Sequence, residues 1–201
     1  MRPVTGFKTL LWAILSAPLI WLIYLIILEL DMPATVLGAD PGEAVVHYLG
    51  IWSLRGLLLA FTVSPVYRLT GYSYVARSRR LVGLWAFAYV VCHLIAYLFF
   101  FIQFDWQLLL NDFIERAYIT AGMVAWFCLF CMAITSTRGW QRRLRQRWRQ
   151  LHSVIYLAVA AALVHFWWFT RDQYGEVLLY CAWFLGVLCF RYFFRRARTA
   201  S

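Results

Sequence analysis

Few side chains in the apolar stretches of this 201-residue chain can do chemistry. The histidines come first: His93 in RSRRLVGLWAFAYVVCHLIAY (77–97), His152 and His165 in LHSVIYLAVAAALVHF (151–166), and His47 further upstream. A neutral imidazole is a metal ligand, and an ionisable group in an apolar span points to function by default. Arg55 is a cation in the same setting, and with the charges at the loops and run ends set aside the apolar helices are expected to hold no buried Asp, Glu or Lys. That argues against an ion-coupled transporter and against a protease built on paired aspartates. The five cysteines all lie in apolar runs, and Cys128 and Cys131 form a CxxC in FCLFCMAIT. Mid-run, that pair reads as two small packing residues rather than a redox or metal centre.

The runs themselves must position these groups. The chain is 64% hydrophobic and 14% charged, against about 25% charged in soluble domains. Six apolar segments, near 9–29, 47–67, 81–103, 117–136, 151–170 and 176–194, are each long enough to cross a bilayer. The expectation is an all-α membrane protein, a six-transmembrane-helix bundle forming one domain over 1–201. The first run ends in Glu29-Leu30-Asp31 rather than a small-residue cleavage site, so it reads as an uncleaved span.

Charge sorts the connections. Arg2 and Lys8; Arg68, Arg77, Arg79 and Arg80; six arginines from Arg138 to Arg149; and Arg191, Arg195, Arg196 and Arg198 make 16 of the 19 basic residues, all on alternate connections. The other connections hold all nine acidic residues, Asp172 among them. The positive-inside rule then puts both termini in the cytoplasm. The net charge of +10 reports orientation and contact with anionic lipid, not nucleic acid. Pro33 and Pro41 fall in the first outer loop, and Pro65 near the end of the second span. Trp12, Trp106, Trp140, Trp148 and Phe166-Trp167-Trp168-Phe169 mark an interfacial belt, with packing against a flat cofactor as the alternative. No G-x-G-x-x-G or P-loop offers a site for NAD(P)H or ATP.

Depth decides among the histidines. His93 is 12 residues beyond Leu81 and His165 is 14 beyond Leu151, about 18 and 21 Å at the helical rise. The third and fifth spans run the same way, so the two imidazoles reach nearly equal depth in the outer half. Two such rings facing each other from adjacent helices suit the axial positions of a haem iron, whereas zinc wants more ligands. His152 lies 13 residues before His165, about 20 Å lower and about 140° round an ideal helix, so sharing a face would need a local irregularity. The third span offers Arg79, Arg80 and Leu81 at that level, and no histidine. One haem b is expected, with a second left open. His152 is read as an alternative ligand or as part of a cytoplasmic-side site. Arg55 either snorkels or pairs with a haem propionate. Arg77, Arg79 and Arg80 serve topology and lipid contact, or a flavin or quinone site. His47 sits at the outer interface. Asp40, Glu43, Asp105, Asp112 and Glu115 serve topology or docking.

Three segments carry a resemblance: LGADP (37–41), RSRRLVGLWAFAYVVCHLIAY (77–97), and TSTRGWQRRLRQRWRQLHSVIYL (135–157) followed by His165. Over nearly its whole length the chain resembles the MsrQ (formerly YedZ) family of the ferric-reductase-like transmembrane superfamily. It departs at Ser64-Pro65, where Thr-Pro is expected. The resemblance implies haem b on His93, His152 and His165, and an association with FMN. It also implies a non-catalytic electron-transfer subunit in the bacterial inner membrane. Electrons would pass from the quinone pool, or from a cytosolic flavin reductase, to MsrP, a periplasmic molybdopterin enzyme that reduces methionine sulfoxide in oxidised proteins. Two rivals stand beside this. One is a reductase of iron or oxygen fed by a separate flavin reductase, which would reduce a ferric chelate unaided. The other is a haem-free transporter or scaffold, which would purify colourless.

Overall fold

The computed structural model describes residues 3–170 and 174–199. Arg2 and Asp172, two of the charges used to orient the chain, lie outside them. Every regular element among the described residues is a helix, and six candidate spans run Gly6–Asp31, Pro41–Thr70, Ser73–Ile102, Ala117–Ile134, Gln146–Phe169 and Tyr174–Phe194. They answer to the six expected segments. In full, the helices are α1 (Pro3–Asp31), α2 (Pro41–Thr70), α3 (Ser73–Tyr97), α4 (Trp106–Glu115), α5 (Ala117–Ile134), α6 (Arg138–Leu144), α7 (Gln146–Leu151), α8 (Ile155–Phe169) and α9 (Tyr174–Thr199). A π-helical turn, Leu98–Ile102, extends α3, and a 3₁₀ turn, His152–Val154, joins α7 to α8.

Local chemistry sets the helix ends. Pro41 belongs to α2 rather than to the loop: Asp40 is the N-cap, its carboxylate accepting from the Glu43 N–H, and Pro41 occupies the first turn, where a missing N–H costs nothing. Gly71, at φ 71°, closes the other end in the left-handed conformation. Asp105 caps α4 in the same manner. The short helix α4 was not foreseen; it spends most of the connection between the third and fourth spans at the acidic end of the bundle. Glu29 is buried, and its carboxylate accepts from the backbone N–H groups of Ala34, Val36 and Leu37, folding the loop after α1 back on itself.

Helices α2, α3, α5 and α8 close into a ring in which each packs on the next, α2 on α3, α3 on α5, α5 on α8 and α8 on α2. Helix α2 is the most enclosed span. Its Leu54, Leu57, Leu58 and Phe61 meet Leu129 of α5, Ala158, Val159 and Leu163 of α8, and Val177 and Tyr180 of α9 in the main core. Helix α1 flanks α2 and α3 through Leu22, packed with Val45, Leu49 and Tyr89.

Pro18 breaks the hydrogen-bond ladder inside α1, and a tyrosine repairs it. The Leu19 N–H donates to the Tyr89 hydroxyl at 3.1 Å, and that hydroxyl donates to the Leu15 carbonyl at 2.7 Å. The Tyr48 hydroxyl donates to the Pro18 carbonyl at 3.0 Å. A side chain from α3 thus completes a rung of α1. Tyr89→Phe is expected to lower stability by about 1–3 kcal/mol, since both backbone groups lose their partner in an apolar setting. A thermal unfolding midpoint equal to wild type would remove this role.

Candidate functional site

His93 on α3 and His165 on α8 stand on opposite corners of the ring, with their ring centres 6.3 Å apart and their planes at 81°. The expected pairing of depths is present, but the helices face each other diagonally rather than as neighbours, which leaves the space between them open. His93 Nδ1 lies 2.9 Å from the Val46 carbonyl oxygen of α2. His165 Nδ1 lies 2.7 Å from the Tyr118 carbonyl oxygen of α5. A carbonyl only accepts, so each Nδ1 carries the proton and donates it. Each Nε2 then keeps its lone pair, the form a metal needs, with the ring's orientation fixed by the bond on its far side.

Both rings lie against a glycine. A Cβ on Gly50 would stand 3.1 Å from His93 Cε1, and one on Gly122 would stand 2.9 Å from His165 Nδ1. The two arrangements match: a backbone carbonyl, a glycine four residues on, and a histidine from the companion helix of the hairpin. They also recur at one interval, since 165 minus 93, 118 minus 46 and 122 minus 50 all give 72.

The space between the histidines is an open cleft. Most of its lining is apolar, with Leu54, Leu57, Val90, Met123, Leu129, Ala162 and Phe166 among the walls. Trp126 joins that wall, and its indole N–H is buried without a partner. Two metal–imidazole bonds of about 2.0 Å, with ring centres about 1.1 Å behind the nitrogens, span about 6 Å. The separation of the rings, their Nδ1 bonds, the glycine seats and the apolar walls all fit a flat prosthetic group held by iron between two imidazoles.

A second cleft lies at the basic end of the bundle and shares Leu57 and Leu129 with the first. It brings together His152, Arg77, Arg79 and Arg80, and adds Arg191, Gln141 and Trp148. His152 opens the 3₁₀ turn His152–Val154 and lines this cleft, whereas His165 lines the other. Its ring stacks on Trp148 with centres 4.0 Å apart, and its Nε2 lies 3.3 Å from Thr135 Oγ1. The Trp148 indole donates to the Thr135 carbonyl at 2.9 Å. Trp148, expected in the interfacial belt, is therefore turned inward; Trp12, Trp106, Trp167 and Trp168 are exposed, as a belt requires. Arg191 was read only as a terminal topology charge. It donates to the Phe61 carbonyl and to the Tyr156 hydroxyl, while its Nε is buried without a partner.

Arg55 lines neither cleft. Its Nε donates to the Tyr180 hydroxyl at 2.7 Å, and the guanidinium lies 5.1 Å from the Trp52 ring centre. Of the two readings open for Arg55, a snorkelling cation or a propionate partner, neither is tested by this seat between Trp52 and Tyr180. Asp112, grouped with the docking acids, is 7% exposed and faces inward, accepting from the Tyr97 hydroxyl at 2.5 Å. His47 and Glu43 line the first cleft at its mouth. Sequence reasoning passed over Gly50, Gly122, Arg116 and Tyr118. The common 72-residue interval was a readable signal for the glycines.

Comparison with known proteins follows this geometry. The model of the ferric reductase like transmembrane component family matches residues 49–164. The chain is 40% identical to the protein-methionine-sulfoxide reductase heme-binding subunit MsrQ of Xanthomonas axonopodis pv. citri, over 92% of its own length and 84% of that protein's. The MsrQ of Xanthomonas campestris pv. campestris is 38% identical over 88% and 81%. That of Caulobacter vibrioides is 37% identical over 96% and 89%.

Proposed function

Because the chain belongs to the ferric-reductase-like transmembrane family, and within it to the MsrQ group, we propose that it is a membrane electron-transfer subunit holding one haem b between His93 and His165. The observation that carries this reading is the pair of Nδ1-anchored imidazoles across an apolar cleft. When bound, the haem supplies one-electron chemistry; the protein positions it and tunes it. The Val46 and Tyr118 carbonyls hold the two rings in the ligating tautomer. The apolar walls keep water from the centre of the cleft, and burial together with hydrogen bonding to the ligands sets the potential.

The orientation follows from charge. The basic end, with Arg77, Arg79, Arg80, Arg191 and His152, is the cytoplasmic end, and both termini face it. The chain sits in a bacterial inner membrane on this reading. Electrons enter at the basic cleft, from a quinone or from a cytosolic flavin reductase. That cleft offers arginines for an anionic group and the Trp148–His152 stack for a flat ring, which suits FMN or a quinone. Electrons leave at the acidic end to a periplasmic MsrP-type molybdopterin reductase that repairs methionine sulfoxide. The shared wall at Leu57 and Leu129 sets the two clefts end to end along the bundle.

The test is a reduced-minus-oxidised visible spectrum of the purified chain, then reoxidation by its periplasmic reductase partner with methionine sulfoxide present. A low-spin haem b signal that reoxidises only with enzyme and substrate together is the expected result. A colourless, folded preparation would end this reading. Reoxidation by ferric chelate at the same rate without the partner would transfer it to the metal-reductase alternative.

A further inference from the structure

Five polar residues of the histidine cleft stand toward the acidic end of the bundle: Glu43 and His47 on α2, Tyr97 on α3, and Arg116 and Tyr118 at the start of α5. Arg116 is the only arginine or lysine among the described residues that line the cleft. It is held there by an ordered set of neighbours. The Tyr97 hydroxyl fixes one oxygen of the buried Asp112 carboxylate. The other oxygen lies 3.4 Å from Arg116 Nε. Arg116 Nη1 reaches the Tyr118 hydroxyl at 3.5 Å. Both contacts to the guanidinium are long, and five N–H donors are present in all, so the fork has donors left for another acceptor. The same Tyr118 holds His165 through its carbonyl.

We propose that Arg116, steered by Asp112 and Tyr97, is the anion partner of the histidine cleft: it takes the carboxylate edge of a flat, otherwise apolar cofactor seated between His93 and His165. This rests on the haem reading above and places the carboxylate contact on a residue that lines the cleft, which Arg55 does not. A planar guanidinium suits a carboxylate because two parallel N–H donors match two oxygens. Glu43 on the α2 side repels a carboxylate, so the charges at the mouth favour one way round for an asymmetric ring. Because Arg116 is half exposed, the contribution is that of a partly solvated pair, not of a buried one.

The experiment compares protohaem with protohaem dimethyl ester, which has the same ring and iron but no free carboxylate. Full-length chain prepared without haem is titrated with each compound, for wild type, Arg116→Gln and Arg116→Lys, with helicity checked by circular dichroism. Wild type is expected to bind the diacid about threefold tighter than the ester, the scale of a partly solvated ion pair. Arg116→Gln should remove that preference by weakening the diacid alone, and Arg116→Lys should restore part of it. Equal weakening of both compounds would overturn the proposal in favour of a purely structural role, and so would unchanged affinity for the diacid. Wild type forming a low-spin complex with neither compound would overturn the haem reading itself, a distinct result.

Discussion

His93→Ala and His165→Ala are each expected to abolish the low-spin reduced-minus-oxidised signal, not to halve it. A six-coordinate iron between two imidazoles needs both, so the loss of either destroys the signature of the pair. The two rings face one another across the cleft with their centres 6.3 Å apart. Each substitution removes one hydrogen bond to a backbone carbonyl, about 1 kcal/mol, too little to unfold six spans. Circular dichroism should therefore match wild type while the haem signal disappears, and added imidazole should restore part of it. His152→Ala should leave the signal of this centre in place, because His152 lies in the other cleft. A full-intensity low-spin spectrum in either of the first two variants would remove the ligand assignment.

Gly122→Ala is the second large effect, and its direction is counter to helix propensity. Alanine is the better helix former by about 1 kcal/mol, so α5 alone gains. The added Cβ, however, would stand 2.9 Å from His165 Nδ1. Relief requires the ring to leave the Tyr118 carbonyl, and with that bond go its tautomer and its aim. Haem occupancy should fall at least about tenfold, the factor that 1.4 kcal/mol represents, while the unfolding midpoint of the haem-free chain holds or rises. Gly50→Ala should act the same way on His93 but less, since its contacts begin at 3.1 Å. Wild-type haem content in Gly122→Ala, measured by pyridine haemochrome, would sink the argument.

The spans and the depth of the histidine pair were legible because hydropathy and helical rise are properties of the sequence alone. The diagonal placement of α3 and α8 was not, since it depends on which helices pack on which. The anchors of both rings are backbone carbonyls, which carry no residue signature: Val46 and Tyr118 look like any apolar span residues. Arg191 was taken for a tail charge by its position near the end of the sixth span, yet it faces inward toward Phe61 and Tyr156. Asp112 was grouped with surface acids because its partner Tyr97 is 15 residues away on a different helix. The partner of Arg55 was hidden in the same way: its intramembrane position is plain in the sequence, but Tyr180 lies 125 residues distant.

The recurrence of carbonyl, glycine and histidine at a fixed interval has a consequence for assembly. Each half-site is complete within one hairpin, α2 with α3 and α5 with α8. Either imidazole can therefore be set in its ligating posture before the halves meet. On the proposed haem reading, an iron bonded to both rings would close a loop through the intervening chain, from His93 to His165, and would act as a staple across the seam between the two halves. Such a staple strengthens the tertiary arrangement in proportion to how tightly the metal is held, and leaves the secondary structure of each hairpin as it was.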